Sequence, residues 1–180
     1  MVHHRVEWLN WLFVDLTRIG TYGLVFVVAG AILALFWRKP WFLAVLITAD
    51  LAADGLSLLL REWIGRARPP FVYREPEPLV SVPHTGAFPS GHASSAFACA
   101  TVITLASRRL AAPAYVLAAA IAWSRVYVGV HWPLDVLGGA LLGADVGTLL
   151  VSLARRGGFV AGGDSARSTA PARRPEAREL

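Results

Sequence analysis

Long apolar stretches without charged residues are the feature that most restricts how this chain can fold. Residues 19–37 contain no charged side chain, and residues 41–60 contain only Asp50 and Asp54. A helix of about 20 residues crosses the roughly 30 Å hydrocarbon core of a bilayer. A composition of 56% hydrophobic and 16% charged residues also lies outside the usual range of soluble globular proteins. The sequence therefore predicts membrane-spanning helices.

Three further apolar stretches follow in the second half of the chain. Residues 93–107 and 110–124 are uncharged, and residues 136–154 contain only Asp145. The first two are short, but polar residues beside them can complete a helix of spanning length. The predicted fold is all-α: an integral membrane bundle of about five transmembrane helices with an N-terminal interfacial amphipathic helix.

The three aspartates within these spans need partners, because an unpaired charge in the bilayer is costly. Asp50, Asp54 and Arg61 are spaced by four and seven residues, which places them on one helical face. We therefore expect Asp54 to pair with an arginine and to support the structure; a direct catalytic role is the alternative.

Residues 1–20 predict an amphipathic helix in the membrane interface. Apolar residues recur there at helical spacing, with Trp8 and Trp11 among them: Val6, Leu9, Leu12, Phe13 and Leu16. A cleaved signal peptide is the alternative for the first span, but the acidic and basic residues before it cancel in charge. Residues 21–156 are then the transmembrane domain. Residues 157–180, rich in Gly, Ala, Arg, Ser and Pro, predict a disordered cytoplasmic tail.

The distribution of lysine and arginine predicts the orientation of the chain. If five spans alternate, ten of the 17 basic residues fall on one side, which is then the cytoplasm. The loops 61–92 and 125–131 face outside, as expected for a multi-pass protein of the inner (plasma) membrane with an external active site. The formal net charge of +5 is spread over short clusters without a continuous basic stripe, so nucleic acid is excluded as a partner.

Three short polar stretches lie at the outer ends of the spans. The first contains Arg61, Gly65 and Arg68, which share one face if the second helix continues to Pro69. Guanidinium groups match phosphate oxygens in bidentate geometry and stay protonated. The alternative is that these arginines contact lipid headgroups at the interface.

The second stretch reads Pro89, Ser90, Gly91 and His92, directly before the third span. Ser90 suits an N-cap position, and Gly91 lets a ligand approach the backbone closely. Free amides at a helix start attract an anion, and His92 can give a proton to a leaving group. A simple helix start with a histidine at the interface is the alternative.

The third stretch contains Ser124 and Arg125, followed by His131 and Asp135. Pro133 favours the first turn of the fifth helix, which places His131 just before that helix and Asp135 inside its first turn. The carboxylate can then orient the imidazole while the other ring nitrogen attacks phosphorus. A histidine and an aspartate four residues apart are common by chance, but the three stretches together favour this chemistry.

These stretches resemble, in order and spacing, the three motifs of the type 2 phosphatidic acid phosphatase family: Lys-x6-Arg-Pro, Pro-Ser-Gly-His and Ser-Arg-x5-His-x3-Asp. The resemblance covers about residues 40–155. The family's lysine is Arg61 here, and many bacterial relatives have a sixth span. The resemblance implies that His131 is the nucleophile, Asp135 its orienting carboxylate and His92 the general acid. It also implies that the phosphate oxygens are bound by the following residues: Arg61, Arg68, Ser90, Gly91 and Arg125.

The resemblance further implies hydrolysis of a phosphate or diphosphate group on a membrane lipid, without metal or cofactor. The sequence agrees, because it has no histidine and carboxylate cluster at metal-ligand spacing and only one cysteine, Cys99. Undecaprenyl diphosphate is the favoured substrate, since its recycling needs an external site; phosphatidylglycerophosphate and phosphatidate are the alternatives. A non-enzymatic lipid-headgroup binding or transport protein is a second class. A vanadium-dependent haloperoxidase is disfavoured, because those proteins are soluble. The sequence specifies no oligomeric state.

Overall fold

The computed structural model describes residues 5–73 and 75–158, and the regular elements of this part of the chain are all helical. Its α-helices are, in order, α1 Glu7–Ile19, α2 Leu24–Trp37, α3 Pro40–Ile64, α4 Pro69–Val72, α5 Gly91–Ala106, α6 Ala111–Tyr127 and α7 Pro133–Arg156. Short 3₁₀ turns, Thr21–Gly23 and Arg108–Leu110, precede α2 and α6. The predicted all-α membrane bundle is confirmed, whereas the predicted disordered tail lies, from residue 159 onward, outside the described residues.

The helices differ in whether they can cross a membrane. Within the described residues, three segments are long and apolar enough: Pro40–Val72, Arg108–Tyr127 and Pro133–Arg156. The segments Glu7–Ile19 and Thr21–Trp37 are long and apolar enough only when they are taken together, and this pair is bent by 63°. Helix α5 is apolar but has only 16 residues. The structure thus gives three to four candidate spans where the sequence predicted about five, because α2 has only 14 residues and α5 only 16.

A bend between α1 and α2 interrupts the stretch that was predicted to be the first span. Tyr22 and Gly23 have φ angles of 51° and 57°, in the left-handed region that ends a right-handed helix. Gly23 also lies directly against the Asp50 carboxylate, where a β-carbon would clash. The bend turns α1 onto α6, and the ring of Phe13 stacks on that of Tyr127 at 4.2 Å. The N-terminal helix is therefore docked on the bundle.

Helix α5 is the centre of the bundle and packs against α3, α6 and α7. Its buried face consists mainly of alanine and serine, and α7 presents glycines four residues apart: Gly139, Gly143 and Gly147. Small residues allow close backbone approach, which drives helix association in lipid. Large apolar side chains instead lie exposed on the outside of the bundle: Leu35, Phe36, Leu51, Leu59, Leu141 and Leu149. This distribution is that of a protein surrounded by lipid.

We expect Gly143→Ala to destabilise the bundle. A β-carbon at this position would overlap the carbonyl oxygen of Ser94 and lie 2.9 Å from the amide nitrogen of Ala98. Both are backbone atoms of α5, so the helices would have to separate, at an expected cost of about 1–3 kcal/mol in the free energy of unfolding. Gly55→Ala is the matched control, because nothing lies within 4 Å of a β-carbon there. Denaturant unfolding in detergent measures both, and equal stabilities would contradict this packing.

Candidate active site

The three polar stretches meet at one end of the bundle. The backbone amide of Ser90 donates to the carbonyl oxygen of Asp135 at 2.9 Å, and Arg68 Nη1 lies 3.0 Å from His131 Nε2. A β-carbon on Gly91 would lie 3.2 Å from an Arg61 nitrogen. The structure therefore brings residues from all three sequence motifs into one cluster. Its buried members are Arg68, Ser90, Gly91, Arg125, His131 and Asp135.

His131 lies between an arginine and a carboxylate. Its Nε2 faces Arg68, and its Nδ1 is 3.6 Å from Asp135 Oδ2. Because a guanidinium can only donate, Nε2 accepts, and the proton of the neutral ring is on Nδ1. Burial lowers the pKa of His131 to about 4; Asp135 opposes this change, while the charges of Arg68 and Arg125 add to it. The ring is therefore neutral at pH 7, with a lone pair on Nε2, which is the form that a nucleophile needs.

Asp135 is fixed in place at the start of α7. Pro133 occupies the first turn, as predicted, and the amide of Trp132 donates to Asp135 Oδ2 at 2.8 Å. The other carboxylate oxygen, Oδ1, accepts from Arg66 Nη1 at 2.9 Å. The carboxylate is completely buried and keeps one oxygen towards His131. Its position suits the orienting role that the motif implies.

Arg66 is a member of the cluster that sequence reasoning missed. Besides its ion pair with Asp135, its guanidinium lies 5.9 Å from the centre of the Trp132 ring. The only signal in the sequence was its place between Arg61 and Arg68, and the motif spacing selected those two instead. Arg66 joins the first polar stretch to the third.

Arg68 uses all five of its N–H donors within the protein. Nε donates to the carbonyl oxygen of Thr85 at 3.0 Å, and Nη2 donates to Thr85 Oγ1 and to the carbonyl oxygen of Gly86. Nη1 donates to the carbonyl oxygen of Val130 at 3.1 Å and faces His131. A guanidinium group stays protonated at pH 7. Carbonyl groups thus fix the guanidinium, and one N–H points at the candidate nucleophile.

The backbone brings Arg61 and Arg68 together in a different way from the predicted one. Helix α3 ends before Gly65, whose φ of 62° is that of a left-handed C-cap. Arg68 is extended, as the residue before a proline prefers, and Pro69 begins the short helix α4. The predicted continuous helical face was therefore wrong, because glycine terminates α3 one turn early.

A cavity of about 290 Å³ opens beside these arginines. Its lining includes three guanidinium groups, those of Arg61, Arg66 and Arg68. His84 also lines it; this side chain is exposed and stacks on Phe71. The concentration of positive charge makes the cavity suitable for a phosphate group.

The second stretch contributes a free hydroxyl and a close helix contact. Ser90 lies at the N-cap position of α5, as predicted, but its side chain makes no capping hydrogen bond. Its Oγ is buried without a partner among the described residues, so it is available to a ligand. A β-carbon on Gly91 would lie 2.8 Å from Asp54 Oδ1. Asp54 in turn lies 3.8 Å from Arg61 Nη2, which is the arginine pairing expected for this aspartate.

Two threonines of the N-terminal segment complete the site, and the sequence did not identify them. Arg125, buried at the end of α6, donates from Nη1 to Thr17 Oγ1 at 2.7 Å. His92 Nε2 lies 3.4 Å from Thr21 Oγ1. The segment that was predicted only as an interfacial helix therefore forms one wall of the cluster.

The cationic groups of the site are guanidinium groups. No group of three or more histidine, cysteine, aspartate or glutamate residues suited to a metal ion occurs in the part of the chain that the structure describes. A neutral imidazole backed by a carboxylate and surrounded by four arginines can attack a phosphate and stabilise its charge. Fold and site together define a helical membrane phosphatase.

Comparisons with known proteins agree. The sequence profile of the PAP2 superfamily matches residues 40–158. Phosphatidylglycerophosphatase B of Bacillus subtilis is 33% identical over 153 residues, which cover 77% of this chain and 72% of that protein. An undecaprenyl-diphosphatase of Sulfolobus acidocaldarius is 31% identical over 157 residues, which cover 86% of this chain and 75% of that protein. The chain belongs to the PAP2 superfamily.

Solved structures show the same fold. LpxE of Aquifex aeolicus matches with a TM-score of 0.70 and 27% identity, covering 84% of this chain and 90% of that one. The PAP2 type phosphatidylglycerolphosphate phosphatase of Bacillus subtilis matches with a TM-score of 0.69 and 31% identity, covering 86% and 81%. With its apolar helices and these relatives, the protein is a multi-pass membrane enzyme, a lipid phosphatase.

Proposed function

We propose that this protein hydrolyses the phosphate or diphosphate group of a membrane lipid through a phosphohistidine formed at Nε2 of His131. The observation that carries the proposal is the environment of this nitrogen. It is unprotonated, it faces the buried Arg68 at 3.0 Å, and the opposite ring nitrogen faces the Asp135 carboxylate. The nucleophile His131 thus lies between its orienting carboxylate, Asp135, and a hydrogen-bond donor for the phosphate, Arg68.

In the first half of the reaction, the lipid phosphate takes the place of His131 as the partner of Arg68. The N–H of Arg68 Nη1 that donates to His131 Nε2 then donates to a phosphoryl oxygen instead. The carbonyl groups of Thr85, Gly86 and Val130 keep the guanidinium in place. Nε2 then attacks phosphorus as the bond from phosphorus to the leaving oxygen breaks. Asp135 stabilises the positive charge that develops on the ring.

The remaining motif residues stabilise the negative charge on the phosphoryl oxygens and on the leaving oxygen. Arg61, Arg125 and the free Ser90 hydroxyl donate to the phosphoryl oxygens, an effect that is typically worth on the order of 10² to 10³ in rate per donor. The backbone amide of Gly91, at the start of α5, adds a further donor. His92 gives a proton to the leaving oxygen.

In the second half, water replaces the lipid product. His92, now neutral, accepts a proton from this water, whose oxygen attacks phosphorus. The bond between phosphorus and Nε2 breaks, inorganic phosphate leaves, and His131 returns to its neutral form. Each bond that forms in this scheme is matched by one that breaks, and no external acid, base or metal takes part.

A diphosphate lipid such as undecaprenyl diphosphate is the substrate that we favour, on the outer face of the inner (plasma) membrane. The cavity beside the site offers N–H groups of Arg61 and Arg66 to a second phosphate group. The excess of lysine and arginine on the other side supports the orientation. Trp8 and Trp11 of α1 are 69% and 74% exposed, which supports an interfacial position for that helix. Phosphatidylglycerophosphate and phosphatidate are the alternatives.

Phosphate release from the purified full-length protein tests this function. The panel contains undecaprenyl diphosphate, phosphatidylglycerophosphate and phosphatidate in detergent, without added metal and with EDTA. We expect release from at least one lipid, unaffected by EDTA, with the diphosphate used best. Binding of these lipids without turnover would overturn the proposal in favour of a headgroup-binding protein.

The pH dependence of kcat/KM gives a separate prediction. Attack requires the neutral form of His131, and this form is lost only as the pH falls through the pKa of about 4 in the free protein. On nitrophenyl phosphate, whose leaving group needs no proton from His92, kcat/KM should therefore stay constant from pH 7 to about pH 5 after correction for the ionisation of the substrate. Recovery of activity on return to pH 7 controls for unfolding. A fall centred near pH 6.5, the usual pKa of histidine, would be inconsistent with a buried neutral ring.

A further inference from the structure

We infer that Thr17 and Thr21 are positioning residues for the reaction: Thr17 orients Arg125, and Thr21 keeps a proton on His92. Both lie before the segment that matches the PAP2 superfamily. The inference rests on the proposed function, because it assigns a role to these threonines through Arg125 and His92. It predicts that the N-terminal helix is part of the catalytic machinery as well as a membrane contact.

Thr17 is the hydrogen-bond acceptor that fixes Arg125. Its Oγ1 lies 2.7 Å from Arg125 Nη1 and 3.0 Å from Ser124 Oγ, and its side chain is buried. Since a guanidinium only donates, the threonine oxygen accepts. Arg125 Nε is buried without a partner in the described part of the chain, so it is free to donate to a phosphoryl oxygen. Loss of the Thr17 oxygen would release the guanidinium from its present direction.

Thr21 presents an acceptor to His92. Its hydroxyl donates to the carbonyl oxygen of Thr17 at 3.2 Å, and a hydroxyl has only one hydrogen. The lone pairs of its oxygen therefore face His92 Nε2 at 3.4 Å, which places a proton on that nitrogen. A general acid must be protonated when the leaving group departs. Burial, followed by the charge of Arg125, lowers the pKa of His92 to about 3, and the Thr21 acceptor counteracts this change by stabilising the protonated ring.

Independent contacts hold α1 in the position that this role requires. Tyr127, two residues after Arg125, stacks on Phe13 and donates from its hydroxyl to Asn10 Oδ1 at 3.0 Å. Arg5 Nε donates to the carbonyl oxygen of Tyr127 at 3.2 Å. The helix is thus attached to the end of α6, beside the two catalytic groups that Thr17 and Thr21 contact.

The test compares Thr17→Val and Thr21→Val with Thr101→Val in the purified full-length protein. Thr101 is the matched control: it is 4% exposed, as Thr17 is, and its hydroxyl bonds to the carbonyl oxygen of Phe97 and to Tyr115. It lies in the half of α5 away from the site. Rates are measured on an alkyl phosphate lipid and on nitrophenyl phosphate, and inhibition is measured with orthovanadate.

We expect different effects from the two variants. Thr17→Val should weaken inhibition by orthovanadate about 10-fold, because Arg125 no longer points at the equatorial oxygens. Thr21→Val should lower kcat on the alkyl phosphate about 10-fold more than on nitrophenyl phosphate, whose leaving group needs no proton. Thr17→Ser and Thr21→Ser should bring the orthovanadate inhibition and the kcat ratio, respectively, to within about 3-fold of the wild type, since serine keeps the acceptor oxygen.

The outcomes separate the inference from the proposed function. If the wild type hydrolyses lipid phosphates and both valine variants behave as Thr101→Val does, the inference is overturned and the proposed function stands. If the wild type releases no phosphate, the proposed function itself fails. Should a valine variant not fold, the cysteine variant at the same position replaces it, because a thiol keeps the volume but accepts hydrogen bonds weakly.

Discussion

His131→Ala is expected to abolish measurable phosphate release, a loss of at least about 10⁴-fold in kcat. The substitution removes Nε2, the only atom of the side chain that is placed to form a bond with phosphorus beside Arg68. The arginines remain, so a phosphate analogue should still bind. Steady-state phosphate release from the favoured lipid measures the loss, and protection against thermal unfolding by orthovanadate shows that the variant is folded and binds.

This variant also distinguishes an enzyme from a lipid-binding protein. A protein that only binds headgroups would lose part of its affinity when His131 is replaced, and it would show no turnover in the wild type. A phosphatase should lose turnover while binding persists, because the guanidinium groups of Arg61, Arg68 and Arg125 supply the attraction. Activity within about 10-fold of the wild type would remove His131 from the role of nucleophile.

Asp135→Asn should lower kcat by about two to four orders of magnitude. The amide lacks the negative charge that stabilises the positively charged ring during attack. Its N–H₂ group can also face Nδ1 of His131, which favours the tautomer with the proton on Nε2 and blocks the nucleophile. Arg66, which donates to Asp135 at 2.9 Å, would lose its anionic partner as well.

Asp145→Asn is the matched control for this prediction. It makes the same change in the same helix, at a side chain that is exposed on α7 and ten residues from Asp135. We expect kcat of this control to stay within about 2-fold of the wild type. Equal rates for the two variants would mean that the buried carboxylate does not support the histidine.

Much of the site could be predicted because its signals are local. Pro133 and Asp135 stand at fixed distances from His131, and a helix that begins with proline places both as observed. The Ser90–Gly91 helix start was predicted for the same reason, although the serine hydroxyl does not act as the cap. The end of α3 was missed because periodicity was extended across Gly65, a residue that commonly ends helices.

Contacts between distant parts of the chain could not be predicted from local sequence motifs and hydrophobic periodicity. Thr17 and Arg125 are 108 residues apart, and they meet only because the chain bends at Tyr22 and Gly23 and returns α1 to α6. The Arg66 pair with Asp135 likewise depends on the loop that follows α3. The number of spans was predicted as about five, whereas the described residues give three to four, since uncharged stretches do not show where a helix ends.

Detection of the covalent intermediate tests the central claim most directly. The protein is mixed with a lipid carrying a radiolabelled phosphate and quenched within one turnover at alkaline pH, where the bond between phosphorus and a histidine nitrogen survives. Peptide mapping then locates the label. The account predicts a phosphoryl group on His131 that is lost in acid and absent from His131→Ala. Label on another residue, or steady turnover without any covalent phosphate, would contradict it.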